Sequence, residues 1–561
     1  MATDTAMGTG MARTKVGADW NSFRARDAKP LGSLAVTVGA LRALYAVLAA
    51  GLFAVNATGQ IVLPVPPAAG GTQSPAADPN GLRAWRFTPM LSVSETYSDN
   101  VTLAPAGAAK RDWITTVSPG IHAEGSGVRV RGFFDYRLSD STYANEANLD
   151  NRQNFLNSRI TVELLEKRFF IETRASISQQ VRSAFSATST DTSSATANRV
   201  ETSVYQIAPY WRGRYSDIAI YQIRLNATQS TSRGIAASST GTTEWLGSLR
   251  SATPSAKIGW ALEGTALSVD SGAAKKSEMT RGRGSMILEV QPDLHLSLFG
   301  GIETTDFPGS GRQSSHTPGF GLAWTPSIRT QVAAIREKRI FGQAQTIALS
   351  HRISRMALRY DDSREIAVLS NLVAASGPGT LNALMSDLLM SGIPDPALRA
   401  QAVNSRLETS GQPAQSGAVG EFQTNQIFLR RNRQLSVAAL GATDTVTLSW
   451  NLRDQLAVGS VASSLDSFSV SPSIRQRTVR ATWMHRLSPI SSMTLSSSRL
   501  NTQSLAGSTA ESTQTAMSLL ATRKIGQRTS VSVGVRRSVF DSTVTGGNRE
   551  NAVLSTLATR F

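Results

Sequence analysis

The 561 residues carry 57 Lys and Arg against 40 Asp and Glu, a net charge of +17, with hydrophobic residues at 40% and aromatics at only 6%. Cysteine is absent, which excludes disulfides, thiolate metal sites, cysteine nucleophiles and lipid attachment through an N-terminal cysteine. The five histidines, His122, His295, His316, His351 and His485, are too scattered for a short-spaced metal motif, and no uncharged apolar run of about 18 residues offers a membrane helix.

In chain order, the first feature is an apolar core at residues 43–55 (ALYAVLAAGLFAV), of signal-peptide length and too short to span a bilayer. Arg13, Lys15, Arg24, Arg26, Lys29 and Arg42 precede it as a positive region, and Val55-Asn56-Ala57 offers apolar or small residues for cleavage. Residues 1–57 are expected to be a signal peptide, with a membrane-anchor helix as the alternative. Residues 58–84, rich in Pro, Ala and Gly, read as a periplasmic linker. An exported chain without cysteine fits a Gram-negative envelope.

From Trp85 onward the pattern has a period of two. Trp85, Phe87, Leu91 and Val93 alternate with Arg86, Thr88, Ser92 and Ser94. Val128, Val130, Phe134, Tyr136 and Leu138 alternate with Arg129, Arg131, Asp135 and Arg137. The same alternation recurs at Ile258, Trp260 and Leu262, at Leu294, Leu296 and Leu298, and at Val531, Val533 and Val535. It demands strands with one apolar and one polar face. Segments of about ten residues match a tilted crossing of a bilayer.

The connections alternate between short and long. Short turns are expected at residues 124–127, 166–168, 214–216, 253–255, 291–293, 326–327, 353–355, 441–444, 488–491 and 526–528. Longer polar loops fall between them, at 183–199, 230–242, 269–276, 305–315, 459–473 and 503–511, with one short exception near 339–342. The count is about 22 strands, within a range of 16–22. Short turns on one side and long loops on the other are the signature of an outer-membrane barrel. The predicted fold class is all-β: a transmembrane antiparallel outer-membrane β-barrel over residues 85–561 with one helical insertion. A soluble β-sandwich array or solenoid also alternates, but lacks this loop asymmetry, and no fixed repeat is present. Phe561 ends an alternating segment with Val553 and Leu557 and matches, in part, the C-terminal aromatic read by barrel-assembly machinery.

Between residues 364 and 425 the period becomes helical. Leu381, Leu384, Leu388 and Leu389 share one face behind Thr380 as N-cap, and Asp395-Pro396 starts a second helix. About sixty residues are too many for an idle loop. The insertion is expected to lie over the pore mouth, plug the lumen, dock a partner, or simply cap the surface.

Several of these stretches carry a likeness. The run Glu95-Thr96-Tyr97-Ser98-Asp99-Asn100-Val101-Thr102-Leu103-Ala104-Pro105, then Asp112-Trp113-Ile114-Thr115-Thr116-Val117-Ser118-Pro119-Gly120-Ile121, resembles the opening of the PEP-CTERM-system-associated outer-membrane proteins. So do Ile393-Pro394-Asp395-Pro396 with Arg399, Ala400, Gln401, Ala402 and Val403, and Gln426-Ile427-Phe428-Leu429 leading to Asp444-Thr445-Val446-Thr447-Leu448-Ser449. The resemblance runs from about Phe87 to the end. It implies an envelope role beside exopolysaccharide synthesis and exosortase genes, in polymer export or surface display. It supplies no catalytic residues.

Phosphate-loop, zinc-protease and nucleophile-elbow motifs are missing, and neither catalytic residues, cofactors nor metals are expected. Asp361-Asp362 offers two adjacent carboxylates at a strand end, and His295 and His485 sit in strands as polar face residues. The same-parity pairs Arg281/Arg283, Arg431/Arg433 and Arg475/Arg477 would point into the lumen together and favour anions. Pairing with carboxylates, or facing lipid phosphates at the rims, are the alternatives. The leading function is a non-enzymatic barrel for exopolysaccharide export, attachment or passive solute passage. An adhesive barrel binding partners through its loops, and an outer-membrane hydrolase, are the competitors. The expected partners are outer-membrane lipid, the barrel-assembly machinery, polysaccharide and other export components. Nucleic acid is not expected for an exported chain with dispersed charge.

Overall fold

The computed structural model describes residues 85–105, 107–189, 198–233, 238–252, 257–272, 276–375, 385–386, 422–459 and 467–561. The expected signal peptide and linker lie outside these residues, as do the two helices expected between 380 and 409 except for positions 385–386.

The first eleven strands are β1 Trp85–Ser98, β2 Asp112–Ser126, β3 Val130–Tyr143, β4 Asn151–Leu165, β5 Phe169–Val181, β6 Arg199–Tyr215, β7 Ala219–Ser232, β8 Ser238–Ser251, β9 Ile258–Asp270, β10 Ser277–Gln291 and β11 Leu294–Phe307. The rest are β12 Gly311–His316, β13 Gly319–Ser327, β14 Thr330–Arg339, β15 Gly342–Ile353, β16 Met356–Val368, β17 Ile427–Leu440, β18 Asp444–Ala457, β19 Ser473–Ser488, β20 Ser491–Ala506, β21 Glu511–Lys524, β22 Thr529–Ser542 and β23 Asn548–Arg560. Apart from β12 and β13, which do not pair with each other, each pairs antiparallel with its sequence neighbours, and β23 pairs with β1, so the sheet closes. β12 and β13 pair with successive halves of β11. They are one stave broken at Thr317-Pro318, where proline has no N–H for the ladder. Opposite the break, a Cβ on Gly301 would stand 2.1 Å from the Gly282 carbonyl oxygen, so only glycine fits. The 23 segments therefore make 22 staves, the expected number.

Register and alternation assign the two faces. Outward positions include Phe87, Trp113, Val117, Ile223, Trp245, Leu262, Leu298, Phe320, Leu448, Val479, Val533 and Val553, all large, apolar and exposed. Inward positions are polar: Thr96, Ser141, Glu172, Thr202, Thr228, Glu303, Gln455, Thr502 and Glu550 are buried. A polar inside, an apolar outside and no free edge are what a bilayer demands of strands, since every backbone group must be paired internally. The chain is a transmembrane outer-membrane barrel.

Three expectations need correction. Most strands run 13–17 residues rather than about ten, and several loops are correspondingly short. Residues 230–242, read as a loop, are mostly strand, with β8 beginning at Ser238. The insertion begins later than residue 364, because β16 continues to Val368; a helix, α1 (Leu369–Ala375), follows directly. The short link at 340–341 stands as read.

The motif at the start of the barrel builds a corner beside the β1–β23 seam. Asn100 donates to the Ala104 carbonyl at 2.8 Å and accepts from the Ala104 N–H at 2.9 Å, while Val101 is fully buried with Ile114 and Tyr143. Asp112 accepts from the backbone N–H groups of Asn145 and Glu146. These residues organise loops and face no cavity chemistry.

Candidate functional site

The described ends of the insertion enter the barrel. α1 leaves β16 and reaches β6 and β8: Leu369 and Val373 pack on Val204, and the Ser370 and Thr242 hydroxyls lie 3.1 Å apart. On the return, Phe422 bridges Val181 of β5, and the Gln423 N–H donates to the Val181 carbonyl at 2.6 Å. The Gln423 side chain accepts from Thr202 and donates to Ser232, and Thr240 donates to Asn425. Val204, Thr202, Ser232, Thr240 and Thr242 are inward residues of β6–β8. In ring order these staves stand seven to ten places from β16 and β17 in a ring of 22. The segment therefore crosses the lumen at its long-loop end.

An apolar cluster anchors this crossing. Phe185, Phe422, Phe428 and Phe468 are each at most 1% exposed and pack with Ala184, Ala367, Ile474 and Ala510. The Phe422 and Phe468 rings meet edge-on at 5.2 Å, and Phe428 lies 5.9 Å from Phe468. Phe185 comes from the β5–β6 link, which Asn198 folds by donating to the carbonyls of Ser183 and Ser186. The Ser542 hydroxyl holds the Phe185 carbonyl at 2.9 Å, and the Ala184 N–H donates to Ser467 at 3.0 Å. Three links, the end of the insertion and three strands thus meet over the mouth. Burying four phenyl rings supplies roughly 1.5–3 kcal/mol each, before the entropy of ordering the links. A second cluster, Leu267, Val269 and Phe307 with Val368 and Ile427, joins β9 and β11 to the tips of β16 and β17.

Below this closure the lumen carries clustered charge. Glu172, fully buried, receives Arg174 at 2.6 Å, Arg224 at 3.0 Å and Arg159 at 3.2 Å. Arg224 also lies over Tyr210, which stacks on Phe170 at 4.9 Å. Further round, Arg281 pairs with Glu337 at 2.6 Å, Arg283 with Glu263, and Arg339 with Glu303. Near the seam, Arg536 and Ser98 both hold Glu550. The wall presents strong donors and acceptors, and around Glu172, where three guanidinium groups share one carboxylate, it carries surplus positive charge.

This arrangement divides the six arginines singled out from the sequence. Arg281 and Arg283 face the lumen, already neutralised by Glu337 and Glu263. Arg431 and Arg433 pair across strands with Asp362, and Arg475 with Asp454. Register sets all four of Arg431, Arg433, Arg475 and Arg477 on the face shared by exposed Leu435, Leu448 and Val479, which is outward. Residues two apart do share a face, as expected. Which face they share was not legible, because both faces turn polar toward the long-loop end. The sequence reading also missed Glu172, Glu303 and Glu337, the acidic halves of the inner wall. Their inward parity within alternating strands was the available signal.

Asp361 and Asp362 point to opposite faces and form no paired site; Asp361 accepts from Arg359 at 3.1 Å. His485 lies 2.8 Å from Asp444 on the outward face, and Trp483 donates to the same carboxylate. The positions flanking His485 in register are Asp444 and Met493, so no serine stands beside it there. His295 lies 3.9 Å from Glu289. Among the described residues, no group of three or more His, Cys, Asp or Glu could hold a metal. Phe561 is exposed at the short-turn rim, its N–H donating to the Pro89 carbonyl at 3.0 Å.

No protein-family model matches the sequence, and no curated protein matches it. Solved structures of similar shape include the siderophore receptor PirA from Pseudomonas aeruginosa, at 11% identity and a TM-score of 0.36, covering 85% of this chain and 80% of that one. The FrpB iron transporter from Neisseria meningitidis (F5-1 variant) gives 11% identity, a TM-score of 0.44, and coverage of 85% and 82%. The alcaligin outer membrane receptor FauA from Bordetella pertussis gives 10%, 0.39, 85% and 76%. The fold assignment rests on this chain's own strand pairing, and these likenesses add nothing about a ligand.

Proposed function

We propose that the protein is a non-enzymatic, gated outer-membrane conduit, closed at its outer end by its own links and opened when they part. The observation that carries this reading is the crossing of the lumen by α1 and residues 422–426, locked by Phe185, Phe422, Phe428 and Phe468. The wall beneath it is rich in hydroxyl, amide and paired charged groups. That chemistry suits a polar, hydroxyl-rich solute or polymer, including one that bears acidic groups, because three guanidinium groups share the single Glu172 carboxylate. The resemblance to PEP-CTERM-associated proteins supports exopolysaccharide export or display as the setting, with polysaccharide and other export components as partners.

The test is conductance in planar bilayers. The wild-type barrel should conduct poorly, and the joint Phe422→Ala, Phe468→Ala variant should show frequent large openings. A variant that keeps its heat-modifiable gel mobility yet conducts like wild type would make the insertion a passive cap. That result would favour the adhesive reading, in which the outer links bind partners and nothing passes.

A further inference from the structure

We propose that the outward face of β19 and β20 binds the phosphorylated headgroup of an outer-leaflet lipid, through Arg477 and Arg499. Toward the short-turn end this face is apolar: Leu448 and Leu452 on β18, Val479, Ala481 and Trp483 on β19, Met493 and Leu495 on β20. Further along the same strands it turns basic. Arg499 stands eight residues in from Ser491, and Arg477 eleven in from Ser488. A band of hydrocarbon about 25 Å tall, crossed by strands tilted by about 40°, occupies roughly ten residues of each. Both guanidinium groups therefore sit where the hydrocarbon ends and the outer-leaflet headgroups begin.

Their partners within the protein mark them out. Arg475, one pleat nearer the long-loop end, is satisfied by Asp454 at 2.6 Å. Arg477 and Arg499 are exposed, and neither makes a hydrogen bond or ion pair with any described residue. The register pairs Arg477 with Asn501 and Val479 with Arg499, so the two arginines are diagonal neighbours on one face. Across Leu452, the same row continues to Arg433. Adjacent cations at a lipid boundary, without carboxylates of their own, repel one another unless an anion lies between them. A phosphate ester supplies that charge with acceptors matching the guanidinium fork, and its acyl chains lie along the apolar positions of the same strands.

The experiment titrates purified full-length barrel in neutral detergent with diphosphoryl lipid A, with its fully dephosphorylated form, and with inorganic pyrophosphate. Binding is read by native mass spectrometry and by the temperature of the gel-mobility shift. Wild type should bind the phosphorylated lipid, and the Arg477→Gln, Arg499→Gln barrel should bind it on the order of thirtyfold more weakly. Arg477→Lys with Arg499→Lys should retain most of the binding, and Arg523→Gln at the opposite rim should be neutral. Equal binding by the double Gln variant, or equal binding of the dephosphorylated lipid, would overturn the proposal. Pyrophosphate binding as tightly as the lipid would also overturn it, in favour of a free-anion site.

Discussion

Replacing Glu172 with Gln asks whether the lumen wall is held by charge. The carboxylate is fully buried, and three guanidinium groups approach to 2.6, 3.0 and 3.2 Å. At an effective dielectric of about 20, one contact near 3 Å amounts to roughly 5 kcal/mol of attraction, most of it offset by desolvation. Gln preserves shape and accepting ability but leaves three cations facing each other, with Arg224 only 5% exposed. The expected net loss is about 3–5 kcal/mol. The comparison is Asp140→Asn, which breaks a pair with Arg152 whose partners are 48% and 66% exposed; its unfolding midpoint should not move measurably. Urea unfolding in detergent, followed by gel mobility, reads both. A Glu172→Gln barrel with the same midpoint as Asp140→Asn would refute an electrostatic wall.

The remaining expectations concern selectivity and assembly. In a barrel opened by Phe422→Ala and Phe468→Ala, Gln at Arg431, Arg433, Arg475 and Arg477 should leave the reversal potential in a salt gradient unchanged, since these side chains face outward. Gln at Arg281 and Arg283 should shift that potential toward cations, because Glu337 and Glu263 lose their partners. Deleting Phe561 should lower the amount assembled in the outer membrane, measured by fractionation, and normal levels would remove that residue from the assembly signal.

Sequence periodicity gave a clear view of the barrel where it crosses hydrocarbon, since Val446, Leu448, Trp450 and Leu452 must alternate with polar lumen residues to satisfy both solvents. Above that band both faces meet polar surroundings and the period fades. Ser238, Ser239, Thr240 and Thr242 look like loop for this reason, yet they are strand. The same fading hid the orientation of Arg431 and Arg475. The closure of the mouth was not legible at all. Phe185 and Phe468 are far in sequence from Phe422 and Phe428, and only the closed barrel brings them together. Asn198 reads as one more polar loop residue, although its amide folds the link that delivers Phe185.

The pairing of β23 with β1 leaves the chain's two described extremities on one rim, with the Phe561 N–H already bonded to Pro89. In such a ring no stave is structurally first or last; order along the chain is an accident of where the covalent thread is cut. Joining Phe561 to Trp85 by a short bridge and cutting instead within residues 507–510 would preserve every strand pair while moving the terminal aromatic to an interior position. Circular rearrangement thus separates the stave that closes the wall from the aromatic residue proposed as an assembly signal.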